Sequence, residues 1–380
     1  MLPQLYQTCL QKYLTPSQLV TLEMLIWLLQ IHKQIKLERL AANLPIPILY
    51  QSRRRHLQRF LSLKQLSIVL IWLPIIQELI KQRIHTGSTV YVAIDRTQWR
   101  DNNIFMAAII WRKRALPIYW NILHKKGSSN LDEQKSLLRP VFRLLKDYKI
   151  VILGDREFRS AELADWLCIK KVGFVCRLKQ DTYIQLPGPN YQSLKSLELK
   201  PGMKWYLPEI KLTKTQEFGR GAVVGYWRRK YRGKQEREAW YLLTNLSNMS
   251  AALTAYKRRS GIEAMFRDCK RGGYNLEDSH ASSQRITNLV LLIAIAYTIS
   301  SLQGTKLKQT RQQQYINRLQ KPNKNYKRHS DFWVGLYGQT WLITWQFCSD
   351  LAFKLMQFNS NKLPFFKRGL KAMSLIQSAF

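Results

Sequence analysis

The chain has 380 residues, which is enough for about two or three folding units with well-buried cores. Its apolar fraction of 46% is typical of a globular protein and excludes wholesale disorder. Lys and Arg total 61 against 24 Asp and Glu, a net charge of +37. Because such an excess repels itself unless a polyanion neutralises it, nucleic acid is the first partner class and an anionic membrane surface the second.

The most apolar stretch, NLVLLIAIAYTIS at residues 288–300, falls short of the roughly 18 apolar residues that a membrane span needs. We predict a buried core helix there and no membrane partner. The five cysteines are scattered and form neither a CxxC pair nor a metal-binding spacing. Such a set in a chain of this size indicates a reduced, intracellular protein.

Residues 1–86 predict a helical domain, since SQLVTLEMLIWLLQIHKQ carries apolar residues at helical spacing. A short helix at about residues 36–43 is followed by a proline-containing turn and a second helix that bears Arg53, Arg54 and Arg55. Two helices with a basic second member outline a helix-turn-helix, which would bind DNA. The alternative is an ordinary basic helix face exposed to solvent.

Residues 87–180 predict the first part of an α/β core. TVYVAID, NIFMAAIIW and ALPIYWNIL are apolar runs with short polar gaps, typical of consecutive antiparallel strands. LDEQKSLLRPVFRLLKDY predicts a helix, KIVILGD a buried strand, residues 160–171 a second helix and VGFVCRL another strand. Strands that alternate with helices in this way indicate an α/β layer arrangement.

Residues 181–238 are rich in Gly, Pro and polar residues and predict a β-rich insertion, with a hairpin turn at Arg232-Gly233-Lys234. The core resumes over residues 239–303 with the strand AWYLLTNL, a long helix at about 250–271 that Gly272-Gly273 ends, and an apolar helix at about 286–303. Residues 304–380 form the last segment. Its first part, residues 304–330, carries eight Lys or Arg and no acid and predicts a basic arm, and C-terminal helices follow.

Three acids stand out because acids are scarce in this chain. Asp95 ends the predicted strand VYVAID and Asp155 ends the predicted strand KIVILGD, where ligands bind in open α/β sheets, and Glu263 lies in the long helix. Neighbouring carboxylates repel each other unless a cation joins them, and oxygen donors favour Mg²⁺, with Mn²⁺ as a second choice. Two such ions about 3.5–4 Å apart stabilise phosphodiester chemistry. The alternative is that each Asp caps a turn.

The helix that carries Glu263 concentrates functional side chains on one side. On a continuous helix, five residues fall within an arc of about 80°: Tyr256, Arg259, Glu263, Arg267 and Lys270. An acid flanked by cations suits a helix that holds a metal ion and a DNA backbone together. The alternative is a plain ion pair between Glu263 and Arg259 or Arg267.

These motifs resemble bacterial DDE transposases of the insertion sequence four family. The segments are AIDRTQW with Asp95, ILGDREF with Asp155, and a Tyr-Arg-Glu-Lys signature with spacings of two, three and six residues that ends at Lys270. The resemblance covers roughly residues 30–305. It implies an α/β, RNase H-like mixed sheet flanked by helices, with a β-rich insertion between the second Asp and the Glu.

The resemblance also implies roles for the residues. Asp95, Asp155 and Glu263 would bind the catalytic metal ions. Residues that would contact DNA are Tyr256, Arg259 and Lys270 of the signature, together with Arg156 and Arg267. Trp240 begins the strand after the insertion, where relatives carry a Trp that stacks on a flipped base. A core role for Trp240 is the alternative.

The resemblance therefore predicts a metal-dependent transposase that cuts and joins its own element's ends. Its partners would be double-stranded DNA, as terminal inverted repeats and target, and a second copy in a homodimeric synaptic complex. Its location would be the cytoplasm, on the nucleoid. Two alternatives stay open: a structure-specific nuclease of the RNase H-like class, and a DNA-binding relic without chemistry.

Overall fold

The computed structural model describes residues 2–99, 102–186, 188–213, 218–229, 238–270, 272–275, 283–318 and 329–378. The helices among them are α1 (Gln4–Leu10), α2 (Pro16–His32), α3 (Leu37–Asn43), α4 (Tyr50–Phe60), α5 (Leu73–Arg83), α6 (Leu131–Leu144), α7 (Ala161–Ile169), α8 (Met249–Arg258), α9 (Ser260–Cys269), α10 (Ser283–Gln309), α11 (Asp331–Gln357) and α12 (Leu363–Gln377). The strands are β1 (Thr89–Trp99), β2 (Asn102–Trp111), β3 (Arg114–Leu123), β4 (Lys149–Gly154), β5 (Gly173–Arg177), β6 (Tyr183–Gln185), β7 (Tyr191–Ser193), β8 (Lys204–Leu207), β9 (Lys211–Leu212), β10 (Ala222–Tyr226) and β11 (Trp240–Thr244).

The chain folds into two compact units. The first contains residues 1–75 and 267–380, and the second contains residues 76–266. In this division α10 belongs to the first unit, where it packs with α2.

An eight-stranded mixed sheet forms the second unit, in the order β3-β2-β1-β4-β5-β11-β10-β8. β1 pairs antiparallel with β2 and parallel with β4, and β4 pairs parallel with β5. The first five strands thus have the 3-2-1-4-5 order of an RNase H-like sheet, which confirms the predicted fold class. α8 packs against β4 and β5. The helix that leads to Glu263 therefore lies against the strand that ends just before Asp155.

The insertion is β-rich, as predicted. Two of its strands, β8 and β10, continue the core sheet beyond β11, and β6, β7 and β9 form a separate three-stranded sheet. The predicted hairpin turn at Arg232-Gly233-Lys234 lies outside the described residues.

α10 is the core helix of the first unit. It is long and apolar enough to cross a membrane by length and composition, but 94% of its most apolar window is buried inside the protein. Gln30 of α2 donates to Ser300 Oγ at 3.2 Å, and Asn288 donates to the Leu61 carbonyl at 2.9 Å. α10 extends to Gln309, and a short 3₁₀ helix at Gln312–Tyr315 packs against α10 and α12, so the first part of the predicted arm is folded; residues 319–328 of it lie outside the described residues.

Two glycines allow α10 and α11 to cross closely. A Cβ on Gly304 would overlap the backbone of α11, and a Cβ on Gly335 would overlap the backbone of α10. Because α11 and α12 pack onto α10, the last fifty residues fold back as helices, as the sequence predicts.

The predicted helix pair of the N-terminal region is present as α3 and α4. Arg53 donates to the carbonyls of Ala42 and Leu44, so its guanidinium satisfies the end of α3. Arg54 lies 3.5 Å from Glu38, and Arg55 is exposed. Of the three arginines predicted to bind DNA, Arg55 is therefore the one that projects into solvent without a structural task in this pair.

Candidate active site

Asp95 lies at the point where the parallel ladder between β1 and β4 ends. That ladder stops at the pair Ala93–Leu153, whereas β1 stays paired with β2 as far as Trp99. Asp95 therefore does not end its strand, as the sequence suggested, because β2 carries the strand further. Its Oδ1 accepts the backbone N–H of Arg96 at 2.8 Å, and its side chain is 17% exposed.

Asp155 directly follows β4, whereas the sequence predicted it as the last residue of that strand. Its Oδ1 accepts the backbone N–H of Glu157 at 2.9 Å and caps the short 3₁₀ turn Arg156–Phe158. The capping role that the sequence left open is thus real for one oxygen of this carboxylate. Asp95 and Asp155 each lie two residues beyond Ala93–Leu153, the last pair of the ladder between β1 and β4, so they share one edge of the sheet.

The predicted long helix is in fact two helices that meet at Arg259. The Arg259 N–H donates to the Tyr256 carbonyl and the Ile262 N–H to the Arg259 carbonyl, each at 3.0 Å. These i→i−3 bonds tighten the turn and break the regular helix, so the arc calculated for one continuous helix does not apply. Gly261 permits a close approach to the start of β3, because an added Cβ there would lie 3.0 Å from the Arg114 backbone.

The guanidinium of Arg259 lies between two of the three acids. Its Nη1 is 3.3 Å from Asp95 Oδ2, and its Nη2 pairs with Glu263 Oε1. The ion pair between Arg259 and Glu263 that the sequence left as an alternative is therefore present. Side-chain exposure is 15% for Arg259 and 48% for Glu263, so the arginine is held firmly and the glutamate is open to solvent.

Electrostatics tie the three acids together. Burial raises the pKa of Asp95 to about 6, the charge of Arg259 opposes that rise, and the charges of Asp155 and Glu263 add to it. Burial acts to lower the pKa of Arg259, but the surrounding groups Tyr256, Glu263, Asp95 and Asp155 outweigh it and leave this pKa above its ordinary value. Arg259 thus pairs directly with two of the three carboxylates and feels the charge of the third, Asp155.

Trp240 and Tyr256 contact each other beside this group. Their ring centroids are 5.1 Å apart in an edge-on arrangement, and Tyr226 lies 5.9 Å from Trp240 on the other side. Tyr256 is buried, whereas Trp240 is half-buried. Tyr241 is buried and lies against Trp205, so of these two neighbours Trp240 is the one beside Tyr256.

A buried ion pair missed by the sequence reasoning joins the strands that carry the two aspartates. Arg96 Nη2 lies 2.6 Å from Glu157 Oε2, and their side chains are 21% and 11% exposed. Glu157 Oε1 also accepts the N–H and hydroxyl of Ser129 at 2.8 and 2.6 Å. The signal in the sequence was adjacency, since Arg96 follows Asp95 and Glu157 lies two residues after Asp155.

A second feature absent from the sequence prediction surrounds Arg156. Arg156 pairs with Glu238, and Arg177 Nη2 lies 3.2 Å from the same Glu238 oxygen. Arg177 ends β5 and reaches this position because β5 pairs with β11, which follows Glu238 and Ala239. No spacing in the sequence indicates this contact between residues 61 positions apart.

The remaining predicted residues lie along the end of α9. Arg267 is exposed in its last turn, and the carbonyl of Lys270 accepts the N–H groups of Gly273 and Asn275. Both belong to the first unit.

Within the described ranges, no three Asp, Glu, His or Cys side chains come close enough together to hold a metal ion as they stand. The donor set nevertheless suits one. Asp95, Asp155 and Glu263 offer oxygen ligands, which hard divalent ions prefer, and a positively charged group already lies between Asp95 and Glu263.

Residues 92–299 match the family described as Transposase DDE domain, which is more than half of the chain. Members of this family cut and join nucleic acid and generally use divalent metal ions. No curated protein matches the chain.

Two solved structures give weak overlaps. A piggyBac transposase synaptic complex with hairpin DNA has 13% identity and a TM-score of 0.46, over 84% of this chain and 70% of that chain. An Argonaute from Marinitoga piezophila, in complex with 5′ OH guide RNA and target DNA, has 11% identity and a TM-score of 0.26, over 63% of this chain and 35% of that chain.

The pair of Arg96 and Glu157 generates a stability prediction. Glu157→Gln should lower the free energy of unfolding by about 3 kcal/mol, because it leaves the Arg96 guanidinium largely buried without its counter-charge. Denaturant unfolding measures the change. Glu78→Gln is the matched control, since Glu78 pairs with Lys81 at 3.1 Å on the surface and should cost less than about 1 kcal/mol. Equal losses in the two variants would contradict a structural role for the buried pair.

Proposed function

We propose that this chain, which belongs to the transposase DDE domain family, cleaves and joins the DNA ends of its own insertion sequence. One observation carries the proposal: Asp95 and Glu263 both pair with the buried Arg259, and Asp155 lies at the same edge of the RNase H-like sheet as Asp95. Such a site in a chain of charge +37 suits phosphoryl transfer on a polyanion.

The insertion sequence four family is the subgroup that we propose. The Tyr-Arg-Glu part of its signature supports this, because Arg259 pairs with Asp95 and Glu263 and its guanidinium lies 5.8 Å from the ring centroid of Tyr256. Strands β8 and β10, inserted between Asp155 and Glu263, support it as well.

Mg²⁺, or Mn²⁺ in its place, is the ion that we propose for Asp95, Asp155 and Glu263. When bound, such an ion stabilises negative charge on the attacked phosphate and favours an oxygen nucleophile. The exposed Glu263 is the partner of Arg259 that is free to exchange, since nearly half of its side chain is open to solvent.

The chain's own residues would position the substrate. Arg259 is the cation closest to the carboxylates, and its planar donors suit a phosphate adjoining the bond that breaks. Water would first attack at the element terminus and release a 3′-hydroxyl, which would then attack the opposite strand or the target DNA. Because two ends have to be handled together, we propose that the protein acts as a homodimer on DNA. We also propose that it acts in the cytoplasm, on the nucleoid.

The first prediction concerns the acids. Asp95→Asn, Asp155→Asn and Glu263→Gln should each reduce cleavage of an end-containing duplex in Mg²⁺ by about 10³-fold or more, because each removes a charged ligand without changing shape. Binding to the same duplex in EDTA should persist. Gel analysis of cleaved strands and a binding titration measure the two effects.

Asp165→Asn is the control for these variants, since Asp165 is an exposed acid that lies 3.6 Å from Arg220. Turnover at the wild-type rate by any of the three variants would rule out its acid as a ligand. A pre-nicked end supplied to the wild-type protein separates a transposase, which joins it to target DNA, from a nuclease or an idle relic, which does not.

We also propose that α4 contacts DNA through its exposed basic side. Arg55→Ala should weaken binding to a duplex of the element end, because one phosphate contact is lost. It should also reduce the slope of log affinity against log salt concentration by about 1. Arg53→Ala should instead lower stability, because Arg53 bonds the carbonyls that end α3. Fluorescence anisotropy at several salt concentrations makes the measurement. An unchanged affinity and slope for Arg55→Ala would count against the helix-turn-helix assignment.

Trp240 is the residue that we propose to stack on a base flipped from the DNA end. Its half-buried ring leaves a surface for a base, and stacking is worth about 1–3 kcal/mol. Trp240→Ala should leave the first nick near its wild-type rate and slow the later attack by about tenfold or more. Trp240→Phe should retain part of the rate, and an abasic site at the flipped position should partly rescue Trp240→Ala. Equal losses in both steps would assign Trp240 to the core.

A further inference from the structure

Three charged side chains form a compact group beside the candidate active site. One oxygen of Glu238 pairs with Arg156 and with Arg177, the latter at 3.2 Å. Arg177 also donates to the Ala239 carbonyl at 3.3 Å, which fixes its guanidinium against the start of β11. Two planar cations therefore converge on a single carboxylate oxygen.

Burial differs sharply within this group. The side chain of Glu238 is 58% exposed, whereas that of Arg177 is 21% exposed. The Nε atoms of Arg156 and Arg177 are buried and have no hydrogen-bond partner among the described residues. The arginines thus keep unused donors, and the glutamate that meets them is held mainly by a solvent-exposed ion pair, which contributes little stability.

The position of the group points to its ligand. Arg177 interacts electrostatically with Tyr256 and Arg259, the residues that adjoin the three acids. A cavity of about 460 Å³ adjoins the group, and its lining holds the cations Arg156, Lys179 and Lys195 together with the acids Asp181, Glu198 and Glu238. The lysines place further positive charge near Arg156, which a DNA backbone passing the site could use.

We propose that Arg156 and Arg177 form a binding site for one backbone phosphate of DNA, and that Glu238 occupies this site while DNA is absent. A phosphate offers two oxygens to two guanidiniums, and so engages donors that a single carboxylate oxygen leaves unused. Because Glu238 lies two residues before Trp240, its release would free the segment that begins β11 as DNA enters. The inference rests on the proposed function and names a DNA contact of that same site.

A double-mutant cycle tests the proposal. The probe is a duplex of about 40 base pairs taken from the DNA that flanks this gene, and affinity is measured by anisotropy in EDTA, so that catalysis plays no part. Glu238→Gln should tighten binding several-fold, because the competing charge is gone, and Arg177→Gln should weaken it several-fold. In the Arg177→Gln background, Glu238→Gln should give no further gain.

Controls separate this effect from general charge and from misfolding. Asp165→Asn removes an acid whose side chain is 45% exposed from another surface ion pair and should change affinity by less than about twofold. Arg156→Gln, at a side chain that is 41% exposed, provides a second arm of the cycle in case Arg177→Gln unfolds. A gain for Glu238→Gln that equals that of Asp165→Asn, or that survives in both arginine variants, would overturn the proposal.

Single methylphosphonate linkages then locate the contact. One position in the duplex should weaken the wild-type protein but leave Arg177→Gln unaffected, since a neutral linkage removes the same interaction. The absence of such a position in a complete scan would also overturn the proposal.

Failure of the proposed function has a different signature. It would appear as equal affinity for the flanking duplex and for a scrambled duplex, together with no cleavage of either in Mg²⁺. Phosphate contacts carry no sequence information, so the cycle is still readable on the scrambled duplex.

Discussion

The buried carboxylate of Asp95 requires a positive charge beside it, and much of the second unit is arranged to supply that charge. Burial and two neighbouring acids disfavour its ionised form, and Arg259 is the group that opposes them. To reach Asp95, Arg259 occupies the tightened turn between α8 and α9, and Gly261 lets the next helix start close to β3. The turn between α8 and α9 thus places Arg259 where it pairs with both Asp95 and Glu263.

The acids of this site are matched with arginines although the chain as a whole carries a charge of +37. Arg259 pairs with Asp95 and Glu263, Arg96 pairs with Glu157, and both Arg156 and Arg177 pair with Glu238, so four acids are matched by four arginines. Asp155 instead accepts a backbone N–H and lies within electrostatic reach of Arg259. Because positive groups lie beside them, these carboxylates can lie close together. In a chain this basic, they would otherwise form separate ion pairs with scattered Lys and Arg side chains.

Sequence patterns predicted the elements of this site better than its contacts. Apolar runs and turn residues identified the strands before Asp95 and Asp155, because burial imposes a local pattern. The break at Arg259 was missed, because helical spacing alone carries no information about the acid that the arginine has to meet. Arg177 and the pair of Arg96 with Glu157 were missed because strand pairing brings them together across 61 residues, and only the register of β5 with β11 and of β1 with β4 determines that contact.

Burial separates the ion pairs of the site into two kinds. In the pair of Arg96 and Glu157 both side chains are largely buried, and Ser129 adds two hydrogen bonds to the carboxylate, so removing either partner would strand a charge. In the pairs that involve Glu263 and Glu238, the carboxylate is about half exposed, so water can replace the arginine at little cost. The first kind fixes the strands that present Asp95 and Asp155. The second kind keeps Arg259, Arg156 and Arg177 in place beside the acids, while their acidic partners can be displaced. A polyanion is the ligand that can take the place of those partners.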